Sequence, residues 1–533
     1  FEIHANFVAS LIIMVGTVSL LGWKVTVISS NFIMLMLILS LSMTVHIVVR
    51  YRQFYFEMNE LNNQQKILLT VKSMYRPCLF AALTSIFAFA TLYTSGIKPV
   101  MDFGLMMCVG LIITYATSFI FLPTLINFLN FRDYKYSIPS QSNSIFIYLN
   151  KNSPNLLILF FSIILCIGIY GATSLKVENS FVDYFKKDTE IYKGMKLIDE
   201  KLGGTTPLEV ILKFPKQDDV EQKSEDEEDD WGDEDENDEK YWFTKDKIDK
   251  IKKVHNYLDS LEPIGKVLSF SSIIDVATQL NNNKELGSLE MGVLYTKIPD
   301  NIKKEIVDPY ISIKDSEARI SLRIKDSLDN LRRNDLLIKI NSDLKNKLDL
   351  KDDEFKLGGV LILFNNLLQS LFKSQILTLG FVMLGIFVMF VILFKNLKLA
   401  LIGVVPNFIA AFFILGLIGL LGIPLDMMTI TIAAITIGIA VDNSIHYIYR
   451  FKEEYAKLKN YNKTLKLCHS TVGKAILNTS ITIVFGFSIL VFSNFIPTIY
   501  FGIFTGIAML LAMLLVLTLL PALLIKFKPF QTK

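Results

Sequence analysis

Long apolar runs constrain this chain more than any other feature. Ten windows among its 533 residues are apolar enough to cross a bilayer as a helix, which takes about 20 residues. With 52% hydrophobic and 20% charged residues, the composition excludes a disordered chain and most soluble enzymes. We therefore predict a polytopic membrane protein. The windows are 3–22, 27–49, 78–95, 101–126, 155–174, 375–394, 398–420, 426–449, 475–494 and 500–525.

Lysine and arginine are concentrated in every second connection between these windows. Arg50, Arg132 and Arg450 each lie in such a connection. The positive-inside rule places these basic connections in the cytoplasm. The alternate connections are short and nearly uncharged, and the hydrophilic segment 176–372 falls on their side of the membrane. We expect this segment to be an extracytoplasmic domain.

An internal repeat relates the early windows to the last four. His46 in MTVHIVVRYR and His446 in NSIHYIYRF stand 400 residues apart, as do Gly22 and Gly422. Further on, an FG pair and an LP pair recur at an offset of 398. Two repeats in the same membrane orientation are typical of some secondary transporters, whose site lies between the halves.

The predicted fold is a predominantly α membrane protein with about ten helices in two parallel pseudo-repeats and one α+β external domain. The second half has a helix and a domain ahead of the counterpart of residue 1. We therefore expect the chain to lack the first-half equivalents, namely one span, one external domain and all or part of the next span. The predicted segments are first-half helices at 1–130, a cytoplasmic linker at 131–154, a membrane helix at 155–175, the external domain at 176–372 and second-half helices at 373–533.

Within the external domain, strands are predicted near 206–214 and 318–326 from their alternation and β-branched residues. Helices are predicted near 187–202, 243–262 and 330–349. An insertion at 217–240 holds 15 acidic residues and a single lysine between Asp218 and Glu239. Its self-repulsion favours a solvated, disordered segment. The alternative is a calcium loop, although Trp231 then occupies a position that needs an oxygen ligand.

One membrane helix carries the most informative motif. Gly438, Asp442, His446 and Arg450 recur every four residues and so lie along one stripe of the helix. A carboxylate at the depth of Asp442 costs at least a few kcal/mol, which indicates a function. Desolvation disfavours its charged form, so the group can exchange protons. We predict a proton relay at Asp442; the structural alternative is a polar anchor bonded to neighbouring hydroxyls.

The neighbours of Asp442 on this stripe receive separate predictions. Gly438 leaves room for a neighbouring helix or water. His446 either passes protons towards the cytoplasm or anchors the helix. Arg450 is predicted to extend to the membrane interface rather than to take part.

The repeat places LSLSMTVHIVVRY opposite this motif. Ser42 occupies the aspartate position and Met43 the position of Asn443, whereas His46 is retained. Protons would therefore cross chiefly at one acidic site. Ser42, Thr44 and His46 are predicted to face it as polar partners. Further hydroxyl candidates, which often satisfy only backbone carbonyls, are Thr84, Ser85, Thr479, Ser480 and Thr482.

Three remaining features point away from other chemistries. Asn6 and the Pro406–Asn407 pair favour packing or hinge roles. Cys468–His469 has no further ligands at a suitable spacing, so we predict no metal site. The absence of phosphate-loop and dinucleotide motifs argues against an ATP motor or a nucleotide cofactor within the chain.

These segments resemble the resistance-nodulation-division (RND) superfamily and, within it, the MMPL-type predicted exporters related to sterol-sensing-domain proteins. The resemblance rests on GIAVDNSIH at 438–446, its partner LSMTVHIVVRY, VPNFIAA, and NSFVDYF at 179–185. It implies that Asp442 is the relay aspartate and that 176–372 is a porter-like domain that moves hydrophobic or amphiphilic molecules, driven by the proton-motive force. The chain departs from the drug-efflux branch at Asn443 and in lacking an acidic residue in the first-half helix.

The resemblance implies a secondary transporter rather than an enzyme, in the cytoplasmic (inner) membrane of a bacterium. Expected partners are protons, membrane lipids or hydrophobic small molecules, a periplasmic protein and further copies of the chain, but no nucleic acid. The relay would consist of Asp442 and His446, supported by Gly438, Asn443, Ser42, His46, Thr44 and Thr482. Two alternatives remain open: a Sec-type accessory subunit of protein translocation, and a lipid sensor without net transport. A sensor would have no need of a titrating carboxylate at Asp442.

Overall fold

A computed structural model describes most of the chain in two compact units. The first unit comprises Phe1–Asn179 with Gln369–Lys533, and the second comprises Ser180–Leu368. The acidic insertion and its calcium alternative lie outside the described residues. The structure describes residues 2–530 except 27, 59, 130–143, 176, 178–179, 181, 216–241, 285–286, 329–330 and 427.

The described part of the first unit is entirely helical apart from its connections. All ten predicted windows lie on helices, and nine of the described helices are long and apolar enough to span a membrane. The tenth window falls on a shorter apolar helix, α1. The helices before the second unit are α1 (Glu2–Leu20), α2 (Phe32–Glu57), α3 (Asn63–Ala90), α4 (Lys98–Leu129), α5 (Ser144–Asn152) and α6 (Pro154–Ala172).

The second unit is an α+β domain, as the sequence predicts. The strands are β1 (Thr206–Lys213), β2 (Ile264–Leu268), β3 (Ile311–Ser312), β4 (Glu317–Ile324) and β5 (Phe355–Gly358). They form an antiparallel sheet in the order β2-β4-β1-β5, and β3 pairs with β4. The helices are α7 (Glu190–Lys201), α8 (Lys245–Asp259), α9 (Phe270–Leu280), α10 (Ser288–Lys297), α11 (Asp300–Ile306) and α12 (Arg333–Asn346).

Alternation along the two longest strands builds the core of this domain. Val210 of β1 lies opposite Ile320 of β4, and Leu208 lies opposite Leu322; all four are fully buried. Because side chains alternate between the two faces of a strand, this register directs one apolar row into the core. The row packs with apolar residues of α8, α9 and α12.

The helices after the domain complete the membrane unit. The central one is α15, 94% buried over its apolar window, which packs against α3, α14 and α18. Its start is capped by Asp426, whose Oδ1 accepts backbone N–H bonds from Met428 and Thr429, both at 2.7 Å. The helices are α13 (Val360–Phe394), which begins within the second unit, α14 (Leu397–Leu420), α15 (Thr429–Leu458), α16 (Tyr461–Ser470), α17 (Val472–Ser488), α18 (Ile496–Leu517) and α19 (Leu519–Phe527).

Candidate functional site

Residues that are equivalent in the repeat touch each other where α2 meets α15. The hydroxyl of Ser42 donates a hydrogen bond of 2.8 Å to Oδ2 of Asp442. One turn further along, the rings of His46 and His446 stack with centroids 4.1 Å apart and planes 9° apart. Both pairs are separated by 400 residues, so the pseudo-twofold axis of the repeat passes between α2 and α15 at this point.

The second carboxylate oxygen of Asp442 faces a histidine. Nε2 of His446 lies 3.0 Å from Oδ1 of Asp442, within ion-pair distance. The contact lacks the angle of a hydrogen bond, and Oδ1 accepts none from the described residues. Only 14% of the Asp442 side chain is exposed. One oxygen of the buried carboxylate is therefore held by a hydroxyl, and the other faces His446 at ion-pair distance.

The partner histidine has an unused nitrogen. Nε2 of His46 is buried and has no hydrogen-bond partner among the described residues. Both histidines line a cavity of about 60 Å³, together with Met74, Pro77 and Ala475. A site that offers a free nitrogen and this volume can accommodate water. Water there would connect the histidine pair to the rest of the cavity.

The side chains of His46, Asp442 and His446 are also of the types that ligate metal ions. The ligand atoms of His46, Asp442 and His446 lie within 4.8 Å of one another. A histidine ligates through an in-plane lone pair, so a bound ion lies in the plane of each ligating ring. Two stacked, nearly parallel rings share no such point. The arrangement does not fit one ion bound by both rings, and it is suited to proton transfer.

Gly438 allows α3 to approach the site helix closely. The hydroxyl of Ser85 donates a hydrogen bond of 2.6 Å to the carbonyl of Gly438. A Cβ at position 438 would lie 2.8 Å from that of Ala88, closer than packed side chains approach. The predicted room at Gly438 is therefore filled by a neighbouring helix.

Three predicted support residues do not join the cluster. Thr44 accepts a hydrogen bond of 2.9 Å from Asn6 and so belongs to a separate polar group of the first half. The amide of Asn443 lies 3.4 Å from Ser480 rather than beside the carboxylate. Thr482 is exposed and donates a hydrogen bond of 2.9 Å to the carbonyl of Asn478 in its own helix. The contact of Thr44 with Asn6 corrects the expectation that Thr44 faces Asp442. Asn443 and Thr482, named as support for the relay, also make their contacts elsewhere, because a helix places successive residues on different faces.

Other polar candidates satisfy the backbone or pack the halves. Thr84 and Thr479 each donate to carbonyls one turn back in their own helices. The amide of Asn407 lies 3.4 Å from Ser444, which repeats the contact of Asn6 with Thr44 in the first half. His469 lies between the hydroxyl of Tyr447 (2.9 Å) and the carbonyl of Leu517 (3.1 Å). Packing roles fit all of these groups.

A charged group next to the histidines was missed by the sequence reasoning. Arg450, predicted to extend to the interface, is 10% exposed and pairs with Glu453 (3.1 Å) and Glu454 (3.0 Å). Arg50, its repeat equivalent, also pairs with Glu453 at 3.0 Å. Gln53 occupies the position equivalent to Glu453 and accepts hydrogen bonds from both arginines. The 400-residue offset could have revealed this group, since it aligns both pairs.

Comparison with known families now identifies the kind of protein. A model of the MMPL family matches residues 243–530, which is more than half of the chain. The chain belongs to the MMPL family. The predicted resemblance to the RND superfamily and its MMPL branch is confirmed, and the members of this family are transporters rather than enzymes.

Relatives and solved structures agree with this assignment. A protein of Methanocaldococcus jannaschii, whose name records no function beyond its membrane character, is 24% identical over 389 residues, or 70% of this chain and 91% of its own. Crystal structures of SecDF, a translocon-associated membrane protein from Thermus thermophilus, and of SecDF in a super-membrane-facing form have TM-scores of 0.58 and 0.55, with 13% and 11% identity. Each covers 99% of this MMPL chain, which spans 58% of the SecDF length. The fold of this multi-pass protein is thus shared with SecDF.

Proposed function

We propose that this MMPL protein is a secondary transporter that uses the proton-motive force to export lipids or other hydrophobic molecules from the cytoplasmic membrane. The observation that carries the proposal is the buried Asp442 carboxylate, held by Ser42 and His446 at the repeat axis. A charge at this depth is expensive and marks ion pathways and proton relays. Family membership supports transport as the activity.

In the proposed relay, Asp442 alternates between carboxylate and carboxylic acid. The Ser42 hydroxyl and a protonated His446 stabilise the charged form. Transfer of the His446 proton to the facing oxygen neutralises both groups at once. The opposite step restores the ion pair within α15 and, with it, the charge on the carboxylate that strengthens the hydrogen bond from Ser42 of α2. Each cycle therefore changes the interaction between the two halves, which is the change that an alternating transporter needs.

Only one half supplies an acid at this level, because Ser42 stands opposite Asp442. The proposed stoichiometry is one proton exchanged per cycle at this site. The positive-inside rule orients the relay, with Arg50 and Arg450 at the cytoplasmic end.

The test is the lipid composition of the cell envelope, measured by mass spectrometry in a strain lacking the gene. Complementation uses the full-length wild type, Asp442→Asn, or Asp102→Asn as a matched control. Asp102 lies on α4, is 34% exposed, and lies 3.9 Å from the ammonium group of Lys98. We expect the wild type and the control to restore a lipid class to the outer layers and Asp442→Asn, expressed to the same level, not to do so. If the wild type and both variants restored the lipid class, Asp442 would be a structural anchor, and the lipid sensor would be the favoured function.

The fold shared with SecDF supports one second candidate, an accessory subunit of protein translocation. This function would use the same relay but a protein substrate. In the same strains, secreted reporter proteins would then accumulate inside the cell while lipid composition stayed unchanged. A lipid change without a secretion defect favours the transporter.

A further inference from the structure

Two cavities meet on the side of the histidine pair that faces the basic end of the bundle. The smaller, of about 60 Å³, is lined by His46 and His446 and continues to Glu453. The larger, of about 530 Å³, begins at Glu453 and extends among charged side chains. Glu453 is 34% exposed. It lies seven residues after His446, or about 10 Å along the helix axis.

Glu453 is the one carboxylate among the described lining residues that borders both cavities. Glu454, its neighbour, lines only the larger cavity and is 7% exposed. Arg50 and Arg450 also border both, but an arginine stays protonated in proteins and cannot relay a proton. A proton moving between the cavities therefore meets one group able to take it up and release it.

The geometry around Glu453 couples its charge to contacts between the repeats. Arg50 of α2 donates to both of its oxygens, at 3.0 and 3.3 Å, and Arg450 donates at 3.1 Å. Protonation of Glu453 would weaken both ion pairs. The repeat places neutral Gln53 opposite Glu453, just as it places Ser42 opposite Asp442. Both acids of the row therefore lie on α15.

Other charged side chains act on Glu453 from α2, α3 and its own helix, α15. Their mixed signs leave the carboxylate between basic and acidic neighbours. The charged residues lining the two cavities are Arg50 and Glu57 from α2, Lys72 from α3, and Arg450, Glu454 and Lys457 from α15.

We infer that Glu453 is a proton-exchange site that passes protons between the His46–His446 pair and the solvent at the basic end. The inference rests on the proposed function, since it extends the relay of Asp442. A protonated His446 gives its proton to water in the smaller cavity, this water gives a proton to the Glu453 carboxylate, and the resulting acid releases it to water in the larger cavity. No other reactant is required, and the reverse sequence delivers a proton to Asp442.

The experiment follows protonation of Asp442 after acidification of the basic end alone. Phe530 stacks on Phe451 with centroids 5.8 Å apart, so Phe530 lies at the same end of the helices as Glu453. A C-terminal tag can therefore select proteoliposomes of one orientation containing the full chain. Time-resolved infrared spectroscopy then records the carboxylic-acid carbonyl band that disappears in Asp442→Asn.

We expect Glu453→Gln to retain this band but to slow its appearance roughly 10²-fold, the range for removing a positioned acid–base group. Glu453→Asp, which keeps a carboxylate, should recover part of the rate. It also tests the role of Glu453 if the glutamine variant does not fold. Glu454→Gln also removes a carboxylate partner of Arg450, but Glu454 does not line the smaller cavity, so this variant should match the wild type.

Each contrary result has a distinct meaning. Equal rates for the wild type and Glu453→Gln would overturn the role of Glu453 and leave the proposed function standing. Equal slowing by Glu453→Gln and Glu454→Gln would show an effect of local charge and also overturn it. If no band depended on Asp442 at any pH, the proposed function itself would fail.

Discussion

His46 and His446, 400 residues apart in the sequence, stack face to face with ring centroids 4.1 Å apart. At this distance two positive charges repel by about 4 kcal/mol at an effective dielectric constant of 20. Positive charge on both rings at once is therefore unfavourable. The proposed relay places charge on one ring at a time.

The two histidines should differ in importance, because only His446 reaches Asp442, at 3.0 Å. We expect His446→Gln to slow protonation of Asp442 on the order of 10²-fold and His46→Gln by less than about tenfold. Infrared measurements on the full chain in proteoliposomes give both rates. Equal slowing by the two variants would show that the stack acts as a unit and would contradict this assignment.

The hydrogen bond from Ser42 should contribute measurably to stability. Ser42→Ala removes a donor from a buried carboxylate, and such bonds to charged groups contribute about 1.5–3 kcal/mol. We expect the free energy of unfolding in mixed micelles to fall by this amount. Thr482→Ala, at an exposed position of α17, should change it by less than about 0.5 kcal/mol. A similar loss in both variants would argue against a special role for Ser42.

The repeat offset explains why the centre of the site could be predicted. An offset of 400 residues aligned Ser42 with Asp442 and His46 with His446, and equivalent residues meet at a pseudo-twofold axis. The ten windows also lay on helices because bilayer length imposes a strong apolar signal. What the pattern could not supply was the direction of side chains off the axis. Thr44 shares its helix with Ser42 yet contacts Asn6.

In the external domain, the sequence pattern predicts the long strands but not the short ones. Strands β1 and β4, each eight residues long, alternate clearly and were predicted. Strands β3 and β5 have two and four residues, too few for periodicity to emerge. They exist because long-range pairing with β4 and β1 completes the sheet. Arg450 pairs with Glu453 and Glu454 of its own helix, whereas the contact of Arg50 with Glu453 joins two helices and is made only by tertiary packing.

Gly438 should be sensitive to the smallest enlargement. A Cβ there would lie 2.8 Å from that of Ala88 and would push α3 away from the site helix. We expect Gly438→Ala to lower the free energy of unfolding by about 1–3 kcal/mol, as for overpacking in other cores. Adding Ala88→Gly should restore part of it, because the opposing methyl group is removed.

Gly16 provides the control for this substitution. It lies in helix α1, and a Cβ there would meet no atom within 4 Å. Gly16→Ala should therefore leave the free energy of unfolding unchanged or raise it by up to about 1 kcal/mol through helix propensity. A larger loss at Gly16 than at Gly438 would contradict the packing argument.

Asp199 should make the external domain sensitive to acid. Burial alone would raise the pKa of its carboxyl, but hydrogen bonds from Ser327, Thr205 and the Asp326 backbone outweigh burial and lower the pKa. Because the pKa of Asp199 is lower in the folded state, the group stabilises the fold at pH values above its pKa in the unfolded chain, about 3.9. This stabilisation is lost as the pH falls through the pKa of the folded state. We expect the midpoint temperature of unfolding to decrease as the pH is lowered below about 4. Asp199→Asn should be less stable at neutral pH and should reduce the acid-dependent fall.

Trp242 can report this transition in the full chain. Its indole is buried in the domain core and donates a hydrogen bond of 3.1 Å to Ser316. With Trp23 and Trp231 replaced by phenylalanine, fluorescence follows the unfolding of the domain alone. Asp300→Asn, at a side chain that is 92% exposed, is the matched control and should retain the acid-dependent fall. If Asp199→Asn kept the full dependence on pH, the hydrogen bonds to Asp199 would not be its source.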